Sequence, residues 1–236
     1  MCGRYTLSKK SVEVQEAETA LPDFGWEPRF NIAPTQRGVV ITKASAVSPR
    51  QASYMRWGLI PSWSKSLETQ RPLINARSET VAEKPSFKAA YQRRRCLVPA
   101  DGFFEWKRLR KGNQPYYFQM EDESLFHMAG LWECWRSQSG DELNSYTILT
   151  TSANALLGKY HDRMPVIVAP EDTDTWLDGE PELFTPEGRF RFFTPFSPSE
   201  MKHRPVSPAV NNNRSEGPQL IEPYKPELES QLDLGL

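Results

Sequence analysis

Cysteine and histidine are scarce in this 236-residue chain, with three residues of each. Cys2, Cys96 and Cys134 contain no CxxC pair, and no two histidines have the spacing of metal ligands. We therefore expect no metal site and no cofactor. An odd number of cysteines without a secretory signal indicates a reducing compartment, so we expect a cytoplasmic protein, associated with the nucleoid in a bacterium.

Membrane-spanning runs and an excess of one charge are also missing. No apolar stretch is long enough to cross a membrane, and the polar start Met-Cys-Gly-Arg-Tyr does not suit a signal peptide. The formal net charge of -1 argues against indiscriminate coating of nucleic acid, but it permits a local basic groove. Arg93, Arg94 and Arg95 are a candidate patch, which we interpret as a solvated helix end.

Proline is abundant, with 20 residues, and this disfavours long helices. Short aromatic or β-branched runs bounded by Gly, Pro, Asn or Asp predict strands. These runs cover residues 38–42, 54–59, 96–98, 103–107, 116–119, 125–132, 146–151 and 165–168. We expect a single compact α+β domain over 1–222, with a mainly antiparallel sheet or barrel-like core, and a C-terminal tail over 223–236.

A few short helices are predicted between the strands. Pro85 suits a first helical position, and Phe87, Ala90 and Tyr91 share one face, so we expect a helix over 85–94. Further helices are expected over 8–16, over 153–160 and from Glu171 onward, where acidic residues crowd the first turn. Residues 21–34, rich in proline and aromatics, are expected to form an ordered loop.

Cys2 follows the initiator methionine, which is normally removed before a small residue. The mature chain would then carry a free α-amine and a thiol on adjacent carbons, with pKa values near ~8 and ~8.5. The amine of such a pair adds to an aldehyde to give a Schiff base, and the thiolate then closes on the imine carbon as a thiazolidine ring. An internal lysine forms the imine but not the ring.

Two other interpretations of Cys2 stay open at this point. Glutamine amidotransferases also begin Met-Cys-Gly and use the cysteine to hydrolyse an amide, so the protein is alternatively an N-terminal-cysteine amidohydrolase or peptidase. It is alternatively a nucleic-acid-binding module in which Cys2 is incidental. Met-Cys-Gly alone does not choose among these chemistries.

Three further segments carry polar side chains suited to catalysis. Asn75 and Arg77 lie just before the predicted helix; an amide there donates and accepts, and a guanidinium grips phosphate. A turn with a surface arginine is the plainer interpretation. Glu105 lies among aromatics in a predicted strand, so it is either paired or has a raised pKa suited to general acid–base chemistry. His161, in a polar turn beside Asp162, suits a titrating catalyst.

Other candidates have simpler explanations. His127 lies in an apolar run and is expected to be structural, whereas His203 fits either role. Cys96 is expected to be a buried core thiol. Aromatic strands are more often core than stacking platforms for bases. The aromatic residues considered as platforms are Tyr54, Trp57, Trp63 and Trp106.

Taken together, these segments resemble the SRAP family (SOS-response-associated peptidases, or abasic-site processing proteins). The shared motifs are Met1-Cys2-Gly3-Arg4, Asn31-Ile32-Ala33-Pro34, Trp57-Gly58 with Pro61-Ser62-Trp63, Ile74-Asn75-Ala76-Arg77 with Glu79-Thr80, Cys96-Leu97-Val98-Pro99-Ala100 with Asp101-Gly102-Phe103-Phe104-Glu105-Trp106, His161-Asp162-Arg163-Met164-Pro165, and Val206-Ser207. They occur in the right order over residues 1 to about 222.

The resemblance implies a protein of the DNA damage (SOS) response. Its Cys2 would form a covalent thiazolidine crosslink with abasic sites in single-stranded DNA and so shield the lesion. The implied enzyme has lyase-like Schiff-base chemistry and a peptidase (hydrolase) activity that exposes Cys2. Only Met1 precedes Cys2, so ordinary methionine removal would suffice. We expect a monomer.

The resemblance also implies roles for individual residues. Asn75 would position the reacting N-terminus, Glu105 would assist proton transfers, and His161 would stabilise the opened sugar and assist reversal of the crosslink. Arg4 and Arg77 would hold phosphates that flank the lesion. The family places loop residues near the nucleic acid at the position of Trp63.

Overall fold

The computed structural model describes residues 2–9, 25–45, 47–65, 72–110, 112–179 and 190–226. The α-helices within these ranges are α1 (Pro85–Arg93), α2 (Thr173–Asp178) and α3 (Phe190–Phe193). The strands are β1 (Tyr5–Leu7), β2 (Arg29–Ile32), β3 (Arg37–Lys43), β4 (Arg50–Trp57), β5 (Asn75–Arg77), β6 (Arg95–Ala100), β7 (Gly102–Arg108), β8 (Asn113–Met120), β9 (Phe126–Arg136), β10 (Glu142–Ser152), β11 (Arg163–Pro165), β12 (Ile167–Val168) and β13 (Met201–Pro205).

Five strands close into a barrel. β4 pairs with β3, β3 with β6, β6 with β9 and β9 with β10, all antiparallel. β10 then returns to β4 through a short parallel pairing at Ser145 and Tyr146. A closed sheet satisfies the strand edges that an open sheet leaves unpaired. The structure thus confirms the predicted α+β fold with a barrel-like core.

A second, antiparallel sheet has the strand order β13, β8, β7, β1, β2. Neighbouring side chains along β7 point to opposite faces of the sheet. Phe103 packs into the main core, whereas Phe104 packs with Tyr117 and Val206 in a smaller cluster. Glu105 therefore lies on the same face as Phe103, the face that meets the main core.

The N-terminal segment is fixed at both ends of β1. Tyr5 contacts the hydroxyl of Tyr146 at 2.6 Å, deep in the barrel. Beyond β1, the Asp101 carboxylate accepts hydrogen bonds from the backbone N–H groups of Ser8 and Lys9, at 2.6 and 2.9 Å. Together these contacts fix the position of the chain just downstream of Cys2.

Two of the predicted helices form and one does not. α1 begins at Pro85 and buries Phe87, Ala90 and Tyr91, as predicted. α2 follows a 3-10 turn at 170–172 and buries Trp176. The predicted helix over 153–160 is wrong, because only a 3-10 turn forms at 157–159. The Asn154 side chain accepts from the backbone N–H groups at 156 and 157 and holds that turn. Most of the predicted helix over 8–16 lies outside the described residues.

Two further expectations are corrected. Part of the predicted loop over 21–34 is a strand, since Arg29–Ile32 pairs with β1 as β2. The arginine run is not simply a solvated helix end. Arg95 is only 5% exposed and donates to the carbonyl oxygens of Tyr91, Trp176 and Gly179. Arg94 pairs with Glu133 at 2.7 Å.

Candidate active site

Cys2 is buried in the main core, immediately before β1. Its carbonyl oxygen accepts a hydrogen bond from Asn75 Nδ2 at 2.9 Å. Burial, and after it the negative charge of Glu105, raises the pKa of the Cys2 thiol well above its usual range. At neutral pH the sulfur is therefore a protonated thiol rather than a thiolate.

Asn75 reaches Cys2 from the first position of β5. Parallel pairing places Asn75 opposite Ile148 of β10, and this pairing fixes the strand in the barrel wall. While Nδ2 binds the Cys2 carbonyl, Oδ1 is buried and has no hydrogen-bond partner among the described residues. A buried carbonyl oxygen without a partner is costly. Asn75 therefore offers a ready acceptor for an N–H or O–H group placed beside Cys2.

Glu105 lies in the middle of β7 and is only 3% exposed. Burial raises the pKa of its carboxyl group. β7 pairs with β1 in the register Tyr5–Phe103, and the Phe104 N–H donates to the Arg4 carbonyl oxygen at 3.0 Å, so Glu105 lies beside the segment that begins at Cys2. A protonated carboxyl group next to a reacting centre can donate a proton, and its conjugate base can take one back. The structure thus confirms the expectation of a buried carboxyl with a raised pKa.

His161 lies in the turn between β10 and β11, with its side chain 32% exposed. Its Nδ1 accepts from the backbone N–H of Arg163 at 2.9 Å, so the neutral ring carries its proton on Nε2. The Asp162 carboxylate lies 2.7 Å from the same Nδ1 and faces the proton that this atom gains in the charged form. Burial lowers the pKa of His161, although the charge of Asp162 opposes this shift.

Contacts across the second sheet bring His161 towards Glu105. Tyr116 on β8 is the cross-strand partner of Glu105. The Tyr116 ring packs against Tyr160, with ring centroids 4.6 Å apart, and Tyr160 precedes His161 in the chain. The charge of Asp162 also raises the pKa of Glu105. The His161 turn therefore packs, through Tyr160, against the strand that pairs with Glu105.

An ion pair that no single motif suggested connects the two loops of this site. The Arg163 guanidinium binds both carboxylate oxygens of Glu79 and the carbonyl oxygen of Thr150. Thr150 of β10 pairs with Arg77 of β5 along one edge and with Pro165 of β11 along the other. The Glu79–Arg163 pair thus joins the segments that follow Asn75 and His161 across β10. Glu79 and Arg163 both belong to the family motifs, and this is the sequence signal that points to them.

The two predicted phosphate ligands differ in environment. Arg77 is exposed on β5, two residues from Asn75. Arg4 is half-buried, and its guanidinium donates to Asn31 Oδ1 at 2.9 Å and to the Val210 carbonyl at 2.8 Å. It also lines a cavity of about 390 Å³ beside Gly3 and Trp106. Arg4 thus ties the N-terminus to the segment at 210–211 while it faces this cavity.

The aromatic residues considered as stacking platforms differ in exposure. Trp63 is 60% exposed in the turn after β4. Trp57 is fully buried and donates from Nε1 to the Ile74 carbonyl at 2.9 Å, so it belongs to the core. Cys96 is buried, as expected, and His127 is buried within β9. His203 contacts the Tyr160 hydroxyl at 2.7 Å through Nε2.

No group of three or more His, Cys, Asp or Glu residues in the described part of the chain could hold a metal ion. No helix in the same ranges has the length and apolar character needed to cross a membrane.

The fold and the site define a class of protein: an α+β barrel in which residue 2, a cysteine, is buried and bound by an amide, beside a strand that carries a buried carboxyl. The family model of the SOS response associated peptidase (SRAP) matches residues 1–213. The chain belongs to this family.

Relatives of the chain span bacteria and vertebrates. "Abasic site processing protein YoqW" of Bacillus subtilis is 37% identical over 228 residues, which is 95% of this chain and 100% of that protein. "Abasic site processing protein HMCES" of Xenopus tropicalis is 32% identical, over 94% of this chain and 78% of that protein. A crystal structure of a Bacteroides thetaiotaomicron protein matches with a TM-score of 0.84 and 25% identity, over 95% of this chain and 100% of that chain.

Proposed function

We propose that this protein processes abasic sites in single-stranded DNA by attaching Cys2 covalently to the aldehyde of the opened sugar. The attachment uses the α-amine of Cys2, which becomes free when Met1 is removed, and then the thiol. The observation that carries the proposal is the hydrogen bond from Asn75 to the Cys2 carbonyl oxygen, beside the strand that carries the buried Glu105. The relatives named abasic site processing proteins support the choice of substrate.

The states of the two nucleophiles set the order of steps. The pKa of the buried thiol is raised, so the amine attacks the aldehyde first and forms a carbinolamine. Loss of water gives the imine, and the Glu105 carboxyl, whose pKa is also raised, supplies the proton for the leaving hydroxyl. The thiol then adds to the imine carbon: the S–C bond forms and the thiol proton passes to the nitrogen. The product is a thiazolidine.

Asn75 and His161 each assist these reaction steps. The Asn75 Nδ2 bond holds the Cys2 carbonyl, and Oδ1 suits the amine as an acceptor. Holding the reacting groups in place converts ring closure into an intramolecular step, which favours it strongly. The neutral His161 carries its proton on Nε2 and can donate it to a sugar hydroxyl. The same residue assists proton transfer in the reverse reaction, in which the thiazolidine opens to the imine and water then releases the aldehyde and the amine.

Binding to the strand requires little sequence reading. An abasic nucleotide has no base, so recognition depends on the aldehyde and the phosphates around it. The exposed Arg77 beside Asn75 and the Arg4 cavity are the proposed phosphate contacts, and Trp63 offers an exposed ring for a neighbouring base. We expect the crosslink yield to depend weakly on flanking bases.

An N-terminal-cysteine amidohydrolase would use the same residue differently. It needs a thiolate, or a base that generates one, to attack an amide carbonyl. Burial raises the pKa of the Cys2 thiol and so disfavours a thiolate. This electrostatic setting supports the amine-first reaction over hydrolysis led by the sulfur.

The deciding experiment mixes mature protein with an oligonucleotide that carries one abasic site. Denaturing electrophoresis without borohydride should show a heat-stable shifted band, and mass analysis should map the adduct to residue 2. Cys2→Ser should lose the thiazolidine, whereas Cys134→Ser, at a half-exposed cysteine on β9, should retain it. Intact mass of the protein before reaction reports whether Met1 has been removed. Absence of a band with a correctly processed N-terminus would overturn the proposal.

A further inference from the structure

A second cavity of about 490 Å³ lies away from the Cys2 site. Its walls are largely apolar, and they come from the loop before β9, the start of β9, β12 and the segment before β13. The wall residues used below are Leu125, Phe126, Ile167, Val168 and Phe196. The cavity is therefore a recess in the sheet surface that can take an apolar group.

Strand register shows how far this recess lies from the reacting groups. On β8, Tyr116 is the partner of Glu105, and Met120, four residues further along, lines the recess. Four residues of strand span about 13 Å at roughly 3.3 Å per residue. The recess is thus separate from the site of Cys2 and Glu105.

The rim of the recess is acidic. Glu121, Asp122 and Glu200 line it, and all three are exposed. None of the three forms an ion pair with another described residue. Two cations lie nearby: Lys202 pairs with Glu123 at 3.1 Å and donates to the Glu121 carbonyl oxygen at 2.7 Å, and the charge of Lys9 acts on Asp122. The rim therefore carries negative charge that an incoming cation would neutralise.

The apolar wall and the acidic rim together determine which kind of molecule fits the recess. Three carboxylates around the opening repel phosphates, so a nucleic acid strand does not suit the recess. The longer stretches outside the described residues do not suit it either, since each is net negative. They carry four carboxylates against one lysine in 10–24, three against one arginine in 180–189, and three against none in 227–236.

We infer that the recess is a docking site for a segment of a partner protein in which apolar side chains are flanked by lysine or arginine. The apolar side chain enters between Leu125 and Phe196, and the flanking cations meet Glu121 and Glu200 at the rim. Apolar burial supplies affinity, and the charges set the orientation of the segment. The recess would let the protein hold such a partner while its other end holds DNA.

The test uses the full chain and a labelled hexapeptide of two leucines flanked on each side by two lysines. Fluorescence anisotropy should show saturable binding that weakens as salt rises, because the rim charges are screened. Replacing the leucines by alanine, or the lysines by glutamate, should each weaken binding roughly tenfold or more. Equal binding of the alanine peptide would mean general charge attraction and would overturn the inference.

Variants of the rim and the wall locate the binding. The Glu121→Gln/Glu200→Gln double variant and Leu125→Ser, at a half-exposed position, should each lower peptide affinity roughly tenfold. Glu142→Gln, at the far end of the barrel where Glu142 pairs with Arg136, should leave affinity unchanged. The double variant removes charge without altering the wall, so it stays informative if Leu125→Ser folds poorly. Unchanged affinity in the double variant would sink the inference.

Two further outcomes also count against it. Displacement of the peptide by an undamaged single-stranded oligonucleotide would place the peptide in the nucleic-acid groove instead. Self-association of the chain through this face, seen by sedimentation and lost in Leu125→Ser, would assign the recess to a second copy. Crosslinking to abasic DNA should be the same in all these variants. A failure of crosslinking in every protein would reject the proposed function alone and leave the peptide result standing.

Discussion

Asn75 and Cys2, which are 73 positions apart in the chain, are joined by a hydrogen bond of 2.9 Å from the Asn75 side chain to the Cys2 carbonyl oxygen. The bond connects the N-terminus to the wall of the barrel through β5. It leaves Asn75 Oδ1 buried and facing no described hydrogen-bond donor. This relationship makes the position of Cys2 depend on the barrel rather than on the local chain.

Replacing Asn75 with Ala should slow crosslinking roughly 10- to 100-fold, because the N-terminus loses its anchor and the amine its acceptor. Single-turnover kinetics on an abasic oligonucleotide would measure the rate, and anisotropy would measure affinity for the strand. Asn144→Ala, an exposed amide on β10, is the matched control and should react like the parent chain. A parallel loss of rate and of folded structure would show that Asn75 serves only the fold.

Glu105→Gln should slow imine formation by a factor on the order of 10² or more while strand affinity is retained. The pKa of Glu105 is raised, so the protonated acid is lost as pH rises through that pKa, and the rate should fall there. The Gln variant should lack this alkaline limb. Crosslinking rates measured between pH 5 and pH 9 test whether Glu105 acts as the acid. A rate that climbs steadily into base in the parent chain contradicts an acid role.

The same carboxyl should make the folded state less stable at neutral pH. Its folded-state pKa lies above the unfolded value, so stability from this group is present at low pH and is lost as pH rises through the folded pKa. Glu105→Gln should therefore raise Tm at pH 8 and change it little at pH 4. Scanning calorimetry at the two pH values measures this, with Glu142→Gln on the barrel surface as the control. A lower Tm for Glu105→Gln at pH 8 would contradict the prediction that ionised Glu105 destabilises the folded state.

Asp162→Asn should lower the pKa of His161 further. The Asp162 carboxylate faces Nδ1 at 2.7 Å and raises the pKa, in opposition to burial. Titration by NMR is practical because the chain has three histidines, and His161→Gln assigns the signal. Asp141→Asn, at another exposed aspartate, should leave the titration unchanged. An unchanged midpoint in Asp162→Asn would mean that the carboxylate points to solvent instead.

Arg77→Ala and Arg4→Ala should differ in their effects on strand binding and on Tm. Arg77 is exposed, so its loss should reduce the slope of log affinity against log salt by about 0.7 and leave Tm unchanged. Arg4 also binds Asn31 and the Val210 carbonyl, so its loss should lower Tm as well. Arg136→Ala, a 73% exposed arginine on β9, should change neither quantity. Identical behaviour of the Arg4 and Arg77 variants would contradict this division.

The sequence by itself determined what depends on near neighbours in the chain. Alternation along β7 placed Phe103 and Phe104 in different clusters, and Pro85 started α1. The burial of Glu105 followed from its aromatic neighbours, and its raised pKa followed from burial. The family motifs supplied the candidates for the site, because they preserve the order of the reacting groups along the chain.

Only the tertiary structure decided which distant groups meet. Arg95 is buried because the carbonyl oxygens of Trp176 and Gly179 reach it from α2, and nothing near Arg95 in the chain signals this. β2 forms because β1 offers it an edge, and Arg4 is held by carbonyls about 206 positions away. Hydrogen bonds and ion pairs act over a few ångströms in space, whatever the separation along the chain. Local patterns could therefore identify these residues but could not assign their partners.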